Sequence, residues 1–561
     1  MRTHEVHVKN ILYALLALAA SSPSAFAQQP PTGGGLLQLP APPPPARAEP
    51  GIRIEPSTAP AVPAGAQVRI PVNTLRITGA TVYPEAQLLA LTGFTPGREL
   101  SLADLEGMAA RITDHYRRSG YFVATAFVPQ QEIRNGEVAL AVTEGRLGQV
   151  TLRNRTNLAD AVARDSLSGL KAGQPLALAP VEEGLLLLSD IPGVSVSSVL
   201  VPGSAPGTSD LLVDVAPGRR ITGSVDADNA GNRYTGEYRL GATVNLNNPF
   251  GRGDVASLRA LTSGSGLKYL RGSYQLQLGR AQAGIAYSRL EYRLGREFAA
   301  LDAHGTASIA SVYGRYPLRR SRTDNQYLQL ALDAKRFEDR VDAVGAVSNR
   351  HSHVLTASLY GDHTDTWGGG GVSTYLLGLS AGSLDIRTPA VRAGDALTAR
   401  TDGSFQKLTF HAMRIQRLGG PFSVYGSIGG QYASRNLDVS EKMQLGGMNG
   451  VRAYPEGEAY ADQGLLATVE GRMDLPRFAD AMPGRMQLVA FADTGSVTTN
   501  HSPWAAGSNH RSLSGAGVGL NWAEPGNFLV RAYYARKVGN EAPLSAPDKS
   551  GRFWVQLVKY F

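Results

Sequence analysis

The chain is 561 residues long, more than one ordinary hydrophobic core accommodates, so at least two domains are expected. Its formal charge is +8, yet the lysines and arginines are scattered singly along the chain; nucleic acid is set aside as a partner, and the charge is read as solvated polar faces. There is no cysteine, which excludes disulfides and thiol chemistry.

Residues 1–27 read as a secretory signal peptide. Arg2 and Lys9 supply its charged region, residues 11–20 an unbroken apolar run, and Ala25-Phe26-Ala27 a small-x-small cleavage site. That run is too short to span ~30 Å of hydrocarbon, and no later run reaches the ~18 apolar residues a spanning helix needs. Residues 28–67 are expected to form an extended linker: residues 42–45 are all proline, and Pro, Gly and Ala dominate throughout. Leu36, Leu37 and Leu39 are the only trace of an apolar helix in it.

Residues 68–146 read as a small α/β module. Residues 70–77 have the texture of a strand and 84–91 that of a short helix. Ser101 and Asp104 form a capping-box pair, and the helix they open puts Leu102, Leu105, Ala109, Ile112 and Tyr116 on one face before Gly120 stops it. Residues 121–128 and 137–143 are strand-like, with Asn135-Gly136 as the turn between them. Residues 147–218 repeat the theme, with strands at 150–152, 195–201 and 210–215 and two helical stretches, one holding residues 182–188. Two copies of one module is the economical reading.

From Arg219 the texture changes to alternation. Tyr238, Leu240, Ala242, Val244 and Leu246 share one face, with Glu237, Arg239, Thr243 and Asn245 on the other. Leu328, Leu330 and Leu332 alternate with Gln329 and Asp333, and Leu465, Ala467, Val469 and Met473 with Thr468, Glu470, Arg472 and Asp474. Period two in segments of ~10 residues, separated by turns, is the signature of a transmembrane β-barrel with a polar lumen. A soluble β-protein would need a more apolar interior shared between two sheets. The expected fold is therefore mainly β, a C-terminal barrel over residues 219–561 preceded by two small α/β domains. At ~10 residues per strand the count is compatible with fourteen, sixteen or eighteen strands. The last strand carries Phe553, Val555, Leu557 and Phe561 on one face, with Lys559 as the odd member, placed to snorkel.

Residues 446–464 stand out within the barrel. Five glycines and Pro455 rule out a helix or central strand, while Val451, Tyr454 and Tyr460 give apolar anchors around one permanent cation, Arg452. A loop that packs on itself around a charge needing a partner is suited to a cavity. Downstream, Met486, Leu488, Ala490 and Ala492 share the lipid-side face, so Gln487, Val489, Phe491 and Asp493 point into the lumen. Arg452 reaches Asp493 only if its loop folds inward, and a charge-assisted pair then forms. On spacing alone, an exposed arginine and an unrelated lumen carboxylate is the commoner arrangement. No phosphate loop, zinc-binding His pair or nucleophile elbow is present, the histidines are dispersed, and no catalytic site, cofactor or metal is expected.

Arg117-Arg118-Ser119-Gly120-Tyr121, then Pro129-Gln130, Gly136 and Glu144-Gly145, resemble the first polypeptide-transport-associated (POTRA) domain of two-partner secretion transporters, the TpsB type of the haemolysin secretion/activation and filamentous haemagglutinin transporter family. Asp228-Asn229-Ala230-Gly231, Pro249 and Gly251-Arg252-Gly253-Asp254 resemble that family's barrel opening, and Tyr316-Pro317-Leu318 a recurrent strand-end motif. Gly450-Val451-Arg452-Ala453-Tyr454 resembles the tip of its long pore loop, and Phe491, Asp493 and Gly495 the matching motif on the wall. The resemblance covers nearly the whole mature chain. It implies sixteen strands in the bacterial outer membrane, surrounded by its lipid, with POTRA domains 1 (68–146) and 2 (147–218) in the periplasm. It further implies export of a large, β-rich exoprotein of haemolysin or adhesin type without nucleotide hydrolysis. Gly120, Tyr121, Pro129 and Gln130 would bind that partner. Val451, Arg452, Ala453, Tyr454, Phe491, Asp493 and Gly495 would gate the pore. Phe561 would mark the chain for the barrel-assembly machinery. Two departures are visible: Ala453 replaces a glycine, so a positive φ there would be strained, and residues 28–67 hold no convincing plug helix. The alternatives are an insertase for other barrel proteins, which shares the pore-loop motif, and a passive porin.

Overall fold

The computed structural model describes residues 31–36, 52–54, 68–476 and 482–561. The expected signal peptide lies outside the described residues. In chain order the N-terminal part comprises α1 (Gly33–Leu36), β1 (Ile52–Ile54), β2 (Arg69–Val72), β3 (Thr74–Thr78), α2 (Glu85–Thr92), β4 (Arg98–Ser101), α3 (Leu102–Arg118), β5 (Thr125–Phe127) and β6 (Glu137–Thr143). Then come β7 (Arg146–Asn154), α4 (Asp160–Ser166), α5 (Leu178–Ser189), β8 (Val194–Pro202) and β9 (Thr208–Pro217).

In the first module β3 and β5 flank β6, the former parallel and the latter antiparallel, and α2 and α3 pack on the sheet around Leu75, Leu88, Ile112, Tyr116 and Leu140. The strand expected over residues 70–77 breaks at Asn73. There the backbone N–H turns to the carbonyl of Gly136 at 2.8 Å, leaving β2 to pair with β4 while β3 pairs with β6. The capping box at α3 forms as read: Asp104 donates its N–H to Ser101 Oγ at 3.2 Å and accepts the Ser101 N–H at 2.9 Å. Leu105, Met108, Ala109, Ile112 and Tyr116 are buried, whereas Leu102 is half exposed. Helical side chains lean toward the N-terminus, so a first-turn residue overhangs the helix end.

The second module is a four-stranded sheet in the order β1-β8-β9-β7, with α4 and α5 over a core that includes Leu158, Leu167, Leu185, Leu188, Leu211 and Val213. One edge strand, β1, comes from the stretch expected to be a linker. Another piece of that stretch, α1, lodges inside the barrel.

Sixteen antiparallel strands, from Ile221–Asp228 to Arg552–Tyr560, close the barrel; Ser224 pairs with Tyr560 and Asp228 with Gln556 at the seam. Among the described residues no helix is long and apolar enough to cross a membrane. Leu240, Val244, Leu328, Leu330, Leu332, Leu465 and Val469 all face outward and exposed, the apolar exterior that the alternation requires. Rings collect at both rims. Phe250, Trp367, Phe422 and Phe561 lie at the end nearest β9, and Tyr238, Tyr432, Tyr534 and Phe553 at the far end. The strands between Ala303 and Gly419 run 16 to 20 residues, whereas Ile221–Asp228 at the seam and Val255–Thr262 two strands on have 8 each.

The second module is fastened to the near rim. Arg320 makes a two-pronged pair with Asp190 at 2.8 and 3.0 Å, Arg322 meets Glu182 at 2.7 Å, and Arg280 pairs with Glu183. Asn157 and Asn248 exchange side-chain bonds, and the N–H of Ala159 reaches the Gly251 carbonyl at 2.8 Å. In the far half of the lumen, Gly33 donates its N–H to Asp339 at 3.0 Å, and Leu36 is buried beside Tyr234, Leu267 and Tyr292. Among the described residues, one helical turn of the N-terminal stretch occupies the lumen, where the sequence offered no convincing plug helix.

Candidate functional site: the in-folded loop and its latch

Residues 434–462 leave the wall at the far end and fold back into the lumen. The loop first stiffens itself: Met443–Gln444 pairs with Tyr460–Ala461. At its tip, Val451 donates to the Leu445 carbonyl at 2.8 Å and Tyr454 to that of Val451 at 3.0 Å. Its apolar side chains Leu445, Met448, Val451, Ala453 and Tyr454 form one core with Val489, Phe491, Leu513, Tyr533, Ala535 and Trp554 of the wall. This is what the glycine- and tyrosine-rich composition accomplishes; a purely polar loop would have no reason to enter.

Arg452 sits at the centre, almost wholly buried. Its Nε and Nη2 donate to the two oxygens of Asp493 at 2.9 and 2.8 Å, and its backbone N–H adds a third bond to the same carboxylate at 3.1 Å. Nη1 donates to Glu470 at 2.8 Å, and Glu470 in turn accepts from Arg472 at 2.8 Å. The guanidinium lies over the Phe491 ring, 3.4 Å from its centre, and 5.0 Å from that of Tyr533. Thr468 donates to Asp493 at 2.9 Å, and the Trp554 indole N–H holds the Arg452 carbonyl at 2.7 Å. Two cations and two anions thus form a neutral cluster. A buried charge is tolerable only when so paired and bonded.

All seven gate residues expected from the sequence meet here. Gly495 lies where the loop's Leu445 approaches the wall; a Cβ on it would sit 2.2 Å from Leu445 Cδ1. Ala453 is not strained, contrary to the concern its glycine replacement raised. Positive φ in the loop falls on Gly447, Gly457 and one non-glycine residue, Ala459, at +54°. The extra methyl of Ala453 is accommodated against the wall by Gly515, the strand partner of Asp493, whose own Cβ would come within 2.5 Å of it. Phe561 ends the seam, exchanging backbone bonds with Gly223 at 3.1 Å in both directions.

The sequence reading missed partners that tie the loop elsewhere. Glu458, fully buried, accepts the N–H groups of Leu544 and Ser545 at 2.8 and 2.9 Å and pairs with Arg511 at 2.5 Å. Glu441 is held by Lys335 at 2.5 Å and Lys407 at 2.8 Å. Asp462 accepts from the backbone of Leu437 and His501. Glu470 and Thr468 had a signal: strand parity puts both on the lumen face.

Of the expected partner-binding residues, Gly120 and Tyr121 lie at the joint between the modules. The Gly120 carbonyl accepts the N–H of Leu178 at 2.9 Å, and the Tyr121 ring packs edge-on against Tyr83 and Tyr116. Pro129 and Gln130 lie on the loop after β5, with Gln130 exposed; its neighbour Gln131 brackets the backbone of Ala139 at 2.7 and 2.8 Å. Glu144 is buried in the first module. Burial alone would push its carboxyl up, but the Thr81 hydroxyl, the N–H groups of Val82 and Thr81 and the Tyr116 hydroxyl all donate to it and hold it below the usual range.

Residues 207–522 match the family of the haemolysin secretion/activation protein ShlB/FhaC/HecB, and residues 70–145 match the ShlB-type POTRA domain. The chain is 28% identical over 471 residues to the Heme/hemopexin transporter protein HuxB of Haemophilus influenzae (strain 86-028NP), covering 83% of this chain and 82% of that one. It is 25% identical over 475 residues to the outer membrane transporter CdiB of Dickeya dadantii (strain 3937), covering 81% and 80%. The solved structure of CdiB from Escherichia coli superposes with a TM-score of 0.69 over 90% of this chain and 93% of that chain at 22% identity, a likeness of fold. The chain therefore belongs to the haemolysin secretion/activation family of two-partner secretion transporters, with its sixteen-stranded barrel in the outer membrane and its POTRA modules in the periplasm.

Proposed function

We propose that the chain secretes one large, β-rich exoprotein, caught unfolded by the POTRA modules and threaded through the barrel without nucleotide hydrolysis. The observation that carries this is the lumen itself, which is filled by a loop latched through Arg452, Asp493 and Glu470 beneath a near rim to which a POTRA module is fastened. A passive porin has no use for a latched obstruction or for a docked periplasmic module. The periplasm supplies no nucleotide, so progressive folding of the partner outside would bias its movement. The exoprotein's chemistry, an extended chain rich in strand-forming segments, suits capture by addition to a sheet edge.

Deleting the chain from its host and comparing culture medium, periplasm and outer membrane tests the reading. One large protein should vanish from the surface and medium while remaining in the periplasm. Loss of several unrelated barrel proteins from the outer membrane would replace export by the insertase reading.

A further inference from the structure

The outer face of the barrel beside the seam is laid out in rows by strand register. Glu524, Phe528, Lys559 and Val225 stand side by side in the row closest to the near rim. Two residues further along the same four strands come Trp522, Val530, Leu557 and Ala227. Between the rows Asp226, Leu529 and Val558 alternate to the lumen side, where Asp226 meets Arg259 at 2.9 Å. Their main chain therefore floors a hollow of ≈ 390 Å³, which Phe528, Lys559 and Val225 bound on the rim side and the second row on the other. The hollow straddles the seam, since Val225 and Ala227 belong to the first strand and Leu557 and Lys559 to the last.

The two rows differ in chemistry. The inner one is wholly apolar, and Leu557 in it is 46% exposed, with hydrocarbon surface to cover. The row at the rim carries a carboxylate, Glu524, and an ammonium, Lys559, two strands apart, which is about 10 Å at ~4.8 Å per strand. Asn527, on the turn that follows Glu524, bonds to both: its Oδ1 accepts from Lys559 and its Nδ2 donates to Glu524. This amide holds the two charges at fixed places without neutralising either, and among the described residues neither is in an ion pair. An ammonium has three protons and a carboxylate about four acceptor positions, so each keeps capacity for a ligand. Trp522 donates its indole N–H to the Pro483 carbonyl at 2.9 Å and meets the Phe528 ring edge-on, with centres 4.8 Å apart. Such anchored rings mark the depth where acyl chains give way to headgroups.

We propose that this hollow seats one phospholipid of the periplasmic leaflet with an aminoethyl-phosphate headgroup. Its phosphate lies on Lys559, its ammonium on Glu524, and its acyl chains over Trp522, Val530, Leu557 and Ala227. The charge pattern selects the occupant. An anionic headgroup without an amine would satisfy Lys559 but set its net charge against Glu524, and the methylated amine of choline has no proton to donate to a carboxylate. Because its chains run from Trp522 to Ala227, the seated lipid covers apolar surface on both sides of the seam. The inference does not depend on what passes through the pore.

Trp522 is a built-in reporter. The full-length protein is placed in phosphatidylcholine vesicles holding a minor, equal fraction of one lipid brominated high on its acyl chains: phosphatidylethanolamine, phosphatidylglycerol or phosphatidylcholine itself. Bromine quenches only indoles it touches, and the signal of Trp522→Phe, which retains the other three tryptophans, is subtracted. Brominated phosphatidylethanolamine should quench Trp522 several-fold more than either of the other two. Glu524→Gln, which leaves Lys559 alone at the lip, should put brominated phosphatidylglycerol first. Lys559→Gln, which leaves the acid alone, should push phosphatidylglycerol below phosphatidylcholine. Both variants are read on protein that still shows the heat-modifiable migration of a folded barrel, and the wild-type comparison stands without them. Equal quenching by all three lipids in the wild type means ordinary bulk lipid and overturns the proposal. So does phosphatidylglycerol ranking first in the wild type, which would reduce the seat to a lone cation. Quenching by none of them would mean that protein, such as a second copy of the chain, covers this face, and overturns it as well.

Discussion

Arg452 brings one charge to a place where Asp493 and Glu470 bring two, and Arg472 restores neutrality. Breaking a fully buried pair by removing one partner costs about 3–5 kcal/mol, less where water reaches the lumen. Arg452→Ala should leave the barrel assembled and the loop unlatched, with secretion strongly reduced. Asp493→Ala should do less harm, since Glu470 still holds the guanidinium, and the double variant should be little worse than Arg452→Ala because the residues act as a unit. The readout is exported protein in the medium normalised to transporter in the membrane; strictly additive losses, or undiminished secretion from Arg452→Ala, would sink the latch. Glu144 gives a second residue-scale expectation. Its folded pKa lies below the unfolded value of about 4.3, so its stabilisation is fully present above that pH and is lost as pH falls through the folded value. Thermal unfolding of residues 66–218 should therefore drop in that acid range. Glu144→Gln should unfold at lower temperature near neutral pH and show a shallower acid decline. Asp493 was legible because parity in one strand decides where a carboxylate points. Glu458 was not, because its partners Leu544 and Ser545 are some 86 residues away and no local pattern joins them.

At the scale of elements, the strands were readable and their pairings were not. Alternation assigns faces within a strand, as Leu465 and Val469 outside and Glu470 inside illustrate, but it does not choose neighbours. That is why residues 70–77 looked like one strand although Asn73 divides it between two ladders, and why the proline-rich stretch concealed β1, whose only qualification is a partner 146 residues downstream. The last strand shows what an element owes to its final residue. Phe561 exchanges two backbone bonds with Gly223 across the seam, in a ladder that registers only five pairs between the first and last strands. Deleting Phe561 should lower the amount of heat-modifiable, folded barrel recovered from the outer membrane. Unchanged recovery would show that the strand assembles without its terminal ring.

At the scale of the whole molecule, the proposed function divides recognition and passage between different bodies. The soluble piece 66–218 should bind the exported protein's N-terminal segment by itself in a pull-down. Binding that requires the barrel would move recognition out of the POTRA modules. The clamps of Asp190, Glu182 and Glu183 on Arg320, Arg322 and Arg280 mean that whatever is held by the second module is held at the pore mouth.

The unequal height of the wall bears on the lipid as well as on the protein. An eight-residue strand such as Ile221–Asp228 extends about 26 Å at ~3.3 Å per residue, and leaning by ~40° it rises only about 20 Å, short of the ~25 Å apolar band of such barrels. Across the ring, the twenty residues of Ala346–Asp365 overshoot that band. The bilayer must pinch on one flank to meet the short strands, and disordered acyl chains there lower the resistance to a barrel entering the membrane. Refolding into vesicles should accordingly be faster in short-chain than in long-chain phosphatidylcholine, by a margin that narrows when the seam strands are lengthened by two residues each.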